Sequence, residues 1–358
     1  MLRFVGSAQS SSLSLKIKVM EKIVIGIDIS KEKLDVCIMI NKEMKDLFVL
    51  ENKKGAINKC FRQIKKEYGV EAGDFIVCAE HTGMYIYPLV CACTDSDIFL
   101  WMENPSEIKL SNGMQRGKSD SVDAFRIAMY CSRFIDKARR YTMLEKDLST
   151  LKTLLKEREM YIVDKSKYTA QLKDQKRFMN RTEYSIKNAH VQRILKALEK
   201  SLNEIDQQID VVIINNPKMK SQSDLLQTID GVARQLSVQM IVVTRCFEKF
   251  QNYRQFCCYA GLAPFQYTSG GSIHSKSRVS KKANNRIKSL IHMGALAAAR
   301  NKKTGEMRDY YERKVAEGKN PMLVLNAIRA KLVARMFAVV RHEKPYYSSY
   351  LMTLKNIV

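Results

Sequence analysis

The chain has 358 residues, 61 lysines and arginines against 37 aspartates and glutamates, a formal net charge of +24 and a hydrophobic fraction of 46%. That length and apolar content predict two or three domains with real cores and exclude a disordered basic tail. The charge points to a polyanionic partner, nucleic acid ahead of a membrane surface. No apolar run approaches the roughly 20 residues that span a bilayer, so no membrane partner is expected. The nine cysteines form no CxxC, and several lie inside apolar segments, where a thiol acts as a small hydrophobe. A reduced, cytoplasmic protein without structural zinc is expected, close to the nucleoid.

Residues 1–21 are basic and serine-rich and read as a disordered extension, or as the product of an upstream start codon, since Met20 directly precedes the first strand. Residues 22–142 alternate strand and helix. Ile23–Ile29 and Leu34–Ile40 are apolar strands, with Phe48–Glu51 a third. Gly55–Tyr68 reads as a helix, Phe75–Glu80 and Ile98–Met102 as strands, and Ser119–Cys131 as a helix. Strands first, then alternation with helices, predict an α/β sheet domain.

Residues 143–217 change character, with no glycine and with charge throughout. Leu144, Leu148, Leu151 and Leu155 recur at helical spacing. So do Val191, Leu195, Leu198, Leu202, Ile205, Ile209 and Val212, in alternating steps of 4 and 3. This seam predicts a long helical hairpin, or a coiled coil with a second subunit. Asn215-Asn216-Pro217 ends it. Residues 218–346 read as an all-α domain with helices at Ser223–Ile229, Leu236–Val243, Tyr253–Tyr259, Asn284–Arg300 and Pro321–Val340. It carries a glycine- and serine-rich loop at 261–280, and residues 347–358 form a tail.

Two apolar strands stop on acids, Asp28 and Glu80, and Asp120 and Asp123 share one helical face because residues three apart are neighbours there. Acids at the ends of buried strands have no structural reason to be there. Clustered carboxylates repel unless a hard cation such as Mg²⁺ lies among them, and two such ions can clamp the attacking and leaving oxygens of a phosphodiester. Asp35, following Leu34 in the second strand, is expected to face solvent or a turn. In the C-terminal half, Lys276, Arg278, Lys281, Lys282, Arg286 and Lys288 make a stretch without an acid, just after aromatics and glycines. Cations beside a close-approaching backbone suit phosphate contacts; a flexible loop before a helix is the plainer alternative. Gln227–Ala233, with its single Gly231, reads either as a helix-hairpin-helix turn or as an ordinary helix–helix turn.

The order GIDISKEKLDV (26–36), AEHTGMY (79–85), GKSDSVDA (117–124), a helical insertion, IDGVA (229–233), YAGLAPFQYTSGGS (259–272) and SKKANNRIKSL (280–290) resembles the DEDD transposases of bacterial insertion sequences. These are relatives of the Piv DNA invertase, and some are guided by a bridge RNA. The likeness runs from about Lys22 to Tyr346. It departs from the family pattern at Asp230-Gly231, at Ala283-Asn284-Asn285 and around Ser121-Val122, without removing a carboxylate or the serine-glycine pair. The resemblance implies a ribonuclease H-like, RuvC-type domain with Asp28, Glu80, Asp120 and Asp123 as ligands of two Mg²⁺ ions, Mn²⁺ substituting. It also implies a nucleophilic serine at Ser269, with Thr268 and Ser272 as neighbouring alternatives. It further implies DNA as substrate, a structured non-coding RNA as guide and a homo-oligomer, dimer or tetramer. A RuvC-like nuclease that uses water instead of serine is the alternative reading.

Overall fold

The computed structural model describes residues 23–111, 113, 119–266, 268–269, 273–274, 278–280, 283–300 and 305–347. The expected extension at 1–21, Tyr267, Gly270, Ser272, Lys276, Lys281, Lys282 and residues 348–358 lie outside them. The chain divides into two compact units, Met1–Met143 and Leu144–Val358.

The first unit runs β1 (Ile23–Ile29), β2 (Lys33–Ile40), β3 (Glu43–Glu51), α1 (Lys54–Tyr68), β4 (Phe75–Glu80), α2 (Tyr87–Asp95), β5 (Phe99–Glu103), α3 (Pro105–Ser111) and α4 (Asp120–Arg133). The sheet order is β3-β2-β1-β4-β5. β1, β2 and β3 pair antiparallel, while β1, β4 and β5 pair parallel. Strands buried on both faces read as continuous apolar runs, and the central β1 and β4 do. One face packs Ile25, Ile27, Val77 and Leu100 against Ile57, Phe61 and Ile64 of α1 and Leu89 of α2. The other packs Val24, Cys37, Cys78 and Trp101 against Ala124, Ile127, Ala128 and Cys131 of α4. β3 starts five residues before its expected apolar stretch, at Glu43 rather than Phe48. It is an edge strand whose outer half is polar or exposed, so ladder hydrogen bonds define it and hydrophobic patterning does not.

The second unit opens with α5 (Lys146–Gln175) and α6 (Arg181–Asn215), a hairpin closed by a short link. At its open end Leu148, Leu151 and Leu155 meet Ile205, Ile209 and Ile213 in the main core. At its closed end Leu172, Val191 and Leu195 make a separate small cluster. The expected heptad seam holds only in part. Leu198 and Leu202 are half-buried, and Ile213 rather than Val212 takes the last buried place. A straight helix drifts off a 3.5-residue repeat, so the buried positions step by four at this end.

Among the described residues six further helices follow: α7 (Pro217–Gln227), α8 (Arg234–Thr244), α9 (Tyr253–Tyr259), α10 (Asn285–Ala299), α11 (Glu306–Ala316) and α12 (Pro321–His342). α7 begins earlier than expected because Asn216 ends α6 and also caps the next helix, accepting from Met219 N at 3.2 Å, with Pro217 at the first helical position. α3 and α11 were not anticipated; α11 is mostly charged and buries only Met307. Nor is the region wholly helical. Within 261–280, β6 (Pro264–Phe265) pairs antiparallel with β9 (Arg278–Val279), and β7 (Thr268–Ser269) with β8 (Ile273–His274). Gly231, between α7 and α8, has φ +87°, and a Cβ there would meet the Gly294 carbonyl of α10 at 2.3 Å. That contact alone accounts for a glycine in the turn.

Candidate active site

Side chains alternate across a strand. Val24, Gly26 and Asp28 of β1 therefore share a face with Asp35, Cys37 and Met39 of β2, with Ile76, Cys78 and Glu80 of β4, and with Trp101 and Glu103 of β5. This is the face that α4 covers. Asp28 and Asp35 are direct cross-strand partners, as are Glu80 and Glu103; such partners place their Cβ atoms about 4.5–5.5 Å apart. Continuing the β1–β4 register past Ile27 and Ala79 brings Glu80 beside Asp28. Three of these four acids lie in the last two residues of a strand, and Asp35 opposes that end.

Gly26 lets α4 reach the same end. A Cβ on it would lie 2.3 Å from Ala128 N and 2.5 Å from Ala124 O, so only hydrogen permits the helix to lie on β1. Asp28 is the next residue of β1 on that face, and one turn before Ala124 the helix begins with Asp120 and Asp123. Ser119 caps it, its Oγ accepting from Val122 N at 3.4 Å. The strand ends, the glycine contact and the capped helix start thus bring Asp28, Glu80, Asp120 and Asp123 into one neighbourhood.

Asp28, half-buried, has its pKa pushed up to about 6. Burial is the main cause, followed by the carboxylates of Glu80, Asp123, Asp120 and Asp35. All four predicted acids therefore share one electrostatic environment. Asp35 joins them, a correction to its expected solvent-facing place: it is 4% exposed, because β2 lies between β1 and β3 and both its faces are covered. The cluster carries its own cation. Lys33 Nζ lies 2.8 Å from Asp120 Oδ2 and 3.0 Å from Asp35 Oδ2, the latter at ion-pair distance without hydrogen-bond geometry. Arg126 donates to Asp123 Oδ1 at 2.8 Å. Glu103 is turned elsewhere: it accepts from Tyr130 Oη at 3.3 Å and from Asn104 N at 2.7 Å.

Carboxylate oxygens on a half-buried, mutually repelling set are what a hard dication takes as ligands. The raised pKa of Asp28, due first to burial and then to the neighbouring carboxylates, includes a repulsion that such an ion would relieve. As they stand, no three acidic, histidine or cysteine side chains among the described residues converge closely enough to hold an ion, with Lys33 on Asp120. In chemistry and charge, though not yet in closeness, the set fits a divalent metal.

Ser269 lies in the second unit, in the two-residue strand β7, with Ile273 as its register partner. Of the six predicted nucleic-acid contacts, Arg278 is in β9 and exposed, and Lys288 is half-buried in α10. Arg286 donates to the Leu155 carbonyl at 2.7 Å and pairs with Glu159, tying α10 to α5. Sequence reasoning missed Asp35 and Lys33. The sequence held only part of the signal: an acid near the start of an apolar strand, two residues from a lysine, with nothing to say that β3 would cover it.

The first unit is thus an α/β sheet with acids gathered at its strand ends, and the second is mostly helical. The transposase family of DEDD type matches residues 25–176, and the family described as "Transposase IS116/IS110/IS902 family" matches residues 223–312. A pilin gene-inverting protein of Moraxella lacunata is 25% identical over 330 residues, 91% of this chain and 98% of its own. The Moraxella bovis counterpart is 24% identical over the same span. A solved Thermus thermophilus RuvC bound to a Holliday junction aligns with 34% of this chain and 99% of its own, at 12% identity and a TM-score of 0.27. The chain belongs to the IS110 family of transposases, to which the pilin gene-inverting proteins are related.

Proposed function

We propose that the protein is a transposase that cuts and rejoins DNA at the ends of a mobile element, with a carboxylate-held metal site and a serine nucleophile. The observation that carries the metal half is the placement of Asp28: the strand register puts Glu80 at the same sheet end and Gly26 seats the start of α4 there. Its pKa is accordingly raised by burial first and then by Glu80, Asp123 and Asp120, the acids that the family resemblance marks as ligands. Two Mg²⁺ ions, or Mn²⁺ in their place, would polarise the phosphoryl oxygen and stabilise the departing alkoxide when bound there. A ribonuclease H-like reading of the first unit fits its mixed sheet and covering helices.

Ser269 supplies the covalent step in this reading. Its Oγ bonds to a DNA phosphorus, the bond from that phosphorus to a deoxyribose oxygen breaks, and the serine proton leaves with the departing hydroxyl. Attack by a hydroxyl of another strand reverses the step, so bond energy is kept without ATP. A structured non-coding RNA as guide and a dimer or tetramer as the working assembly belong to the same proposal, since recombination handles four strand ends. The net charge of +24 supports DNA and RNA as partners. Among the described residues no helix is long and apolar enough to cross a membrane, and a place in the cytoplasm near the nucleoid is part of the reading.

The test combines the protein with DNA spanning an element end and its flank, RNA from the element's non-coding segment, and Mg²⁺. A denaturant-stable, protease-sensitive protein–DNA adduct is expected, absent in Ser269→Ala and in Asp28→Asn. Strand cleavage without any adduct, unaffected by Ser269→Ala, Thr268→Ala and Ser272→Ala together, overturns the serine and leaves water as the nucleophile.

A further inference from the structure

A second group of like charges lies in the helical unit, on α5 and in the turn after α8. Immediately after α8 the chain makes three consecutive left-handed residues, Arg245, Cys246 and Phe247, with φ of 52°, 55° and 64°. Non-glycine residues rarely adopt this conformation singly, and a run of three costs free energy that the surroundings must offset. Gln222 donates to the Cys246 carbonyl at 3.1 Å, and the buried Thr244 hydroxyl accepts from Phe247 N at 2.9 Å. The turn delivers Arg245 to α5, where Lys152 and Lys156 stand one helical turn apart, and then Lys249.

These cations are neighbours of one another rather than of acids. Lys152 is held below the usual lysine range by partial desolvation and by Lys156 and Arg245; Lys249 is held below it by partial desolvation and by Arg245 and Lys152. Among the described residues no carboxylate lies within ion-pair distance of any of the four. Glu248, beside Lys249 in sequence, is turned to Lys218. Elsewhere in this unit the cations at comparable positions are paired: Arg158 and Arg234 with Asp206, Lys165 with Glu199 and Arg286 with Glu159. Lys249 Nζ also lies 4.8 Å from the ring centre of Tyr259, which leaves an exposed aromatic at the rim.

We propose that Lys152, Arg245 and Lys249 form a phosphate-binding site that holds the backbone of duplex DNA, with Lys156 and Tyr259 at its edge. The site rests on the transposase reading, because duplex DNA is the polyanion that reaction handles. Lys152, Lys156 and Lys249 are exposed and Arg245 is half-buried, so an anion can reach them from solvent. It relieves their mutual repulsion where no carboxylate does, and a strained turn supported by buried hydrogen bonds fixes Arg245 in place. Phosphate contacts of this kind position a duplex and carry no sequence information.

The experiment measures binding of a fluorescent duplex by anisotropy across a salt series in EDTA, where no strand is cut. Lys152→Gln with Lys249→Gln is expected to weaken binding and to lower the log–log salt slope by about 2, since each lost phosphate contact contributes about 0.9. Lys152→Arg with Lys249→Arg should keep the slope. The DNA-free glutamine variant should melt at or above the wild-type temperature, because repulsion has been removed. A steep wild-type slope unchanged in the glutamine variant overturns this site and leaves the transposase reading standing. Failure of the wild type to bind duplex DNA overturns both. A lower melting temperature in the glutamine variant, or a loss confined to a single-stranded RNA of equal length, also overturns the assignment.

Discussion

Lys33 reaches from the start of β2 to the first residue of α4 and holds Asp120, Nζ to Oδ2 at 2.8 Å. Asp120 is one of the four acids that the family resemblance marks as metal ligands, so a protein cation stands on a carboxylate where a metal would be bound. Both side chains are near half exposure, a setting in which solvent and salt screen an ion pair and leave it weak. A lysine so placed can neutralise the cluster and still release it.

Lys33→Met should therefore tighten Mn²⁺ binding in the absence of nucleic acid, by up to about fivefold, because one repelling charge is removed from a solvent-screened position. Titration calorimetry, or loss of the free-Mn²⁺ electron paramagnetic resonance signal, reads this directly. Weaker Mn²⁺ binding in the variant would show that Lys33 orients the carboxylates rather than competing for them.

Asp28 sets a pH dependence whose sign follows from its shift. Its folded-state pKa is raised from 3.8 to about 6, so between those values the native state binds more protons than the unfolded chain. Its contribution to stability is present at the acid end and lost as pH rises through about 6. In EDTA at pH 7.5, Asp28→Asn should melt higher than wild type, by about 2 °C or more, and the gap should close by pH 4. The same variant, like Glu80→Gln, Asp120→Asn and Asp123→Asn, should lose Mg²⁺-dependent cleavage. A variant that keeps near-normal cleavage removes its residue from the site.

Gly26 should tolerate no side chain. The Cβ of Gly26→Ala would sit 2.3 and 2.5 Å from α4 backbone atoms, and backbone cannot rotate away as a side-chain tip can. We expect a loss of about 3 kcal/mol, the upper part of the range for overpacking, read as a lower denaturation midpoint, with Mn²⁺ binding weakened because α4 carries Asp120 and Asp123. Wild-type Mn²⁺ affinity in a folded Gly26→Ala protein would mean the helix shifts without moving the acids.

The strand-end acids were legible in the sequence because an apolar run that stops on a carboxylate can be read in one dimension. Asp35 was not, because its burial depends on β3 closing over β2, and β3 itself shows little hydrophobic pattern between Glu43 and Asp46. The converging helix was half legible: the three-residue spacing of Asp120 and Asp123 put them on one face, but only the contact of Gly26 with Ala124 and Ala128 says which strand that face meets. Arg286 shows the converse limit. Composition placed it in a basic stretch, whereas its guanidinium serves the Leu155 carbonyl and Glu159. Arg286→Ala should accordingly cost about 1–2 kcal/mol of stability and leave the salt slope of DNA binding unchanged; a slope lower by about 0.9 would return it to the phosphate contacts.

The α5–α6 hairpin should come apart from its tip. Its open end shares the main core through Leu151, Ile205 and Ile209, each at most 5% exposed, whereas its closed end rests on Leu172, Val191 and Leu195 with two tyrosines packed beside them. Between these anchors Leu198 and Leu202 are half-buried, and the seam offers little apolar area. Segments with few buried contacts open locally at free energies far below global unfolding. Amides around 172–195 should thus exchange hydrogen faster than those around 205–213. Leu195→Asp, which places a charge in the small cluster, should speed exchange at the tip while leaving the main melting transition nearly unchanged. Ile209→Asp, in the main core, should lower that transition sharply. Equal effects of the two substitutions on global stability would show that the hairpin folds as one cooperative piece with the rest of the unit.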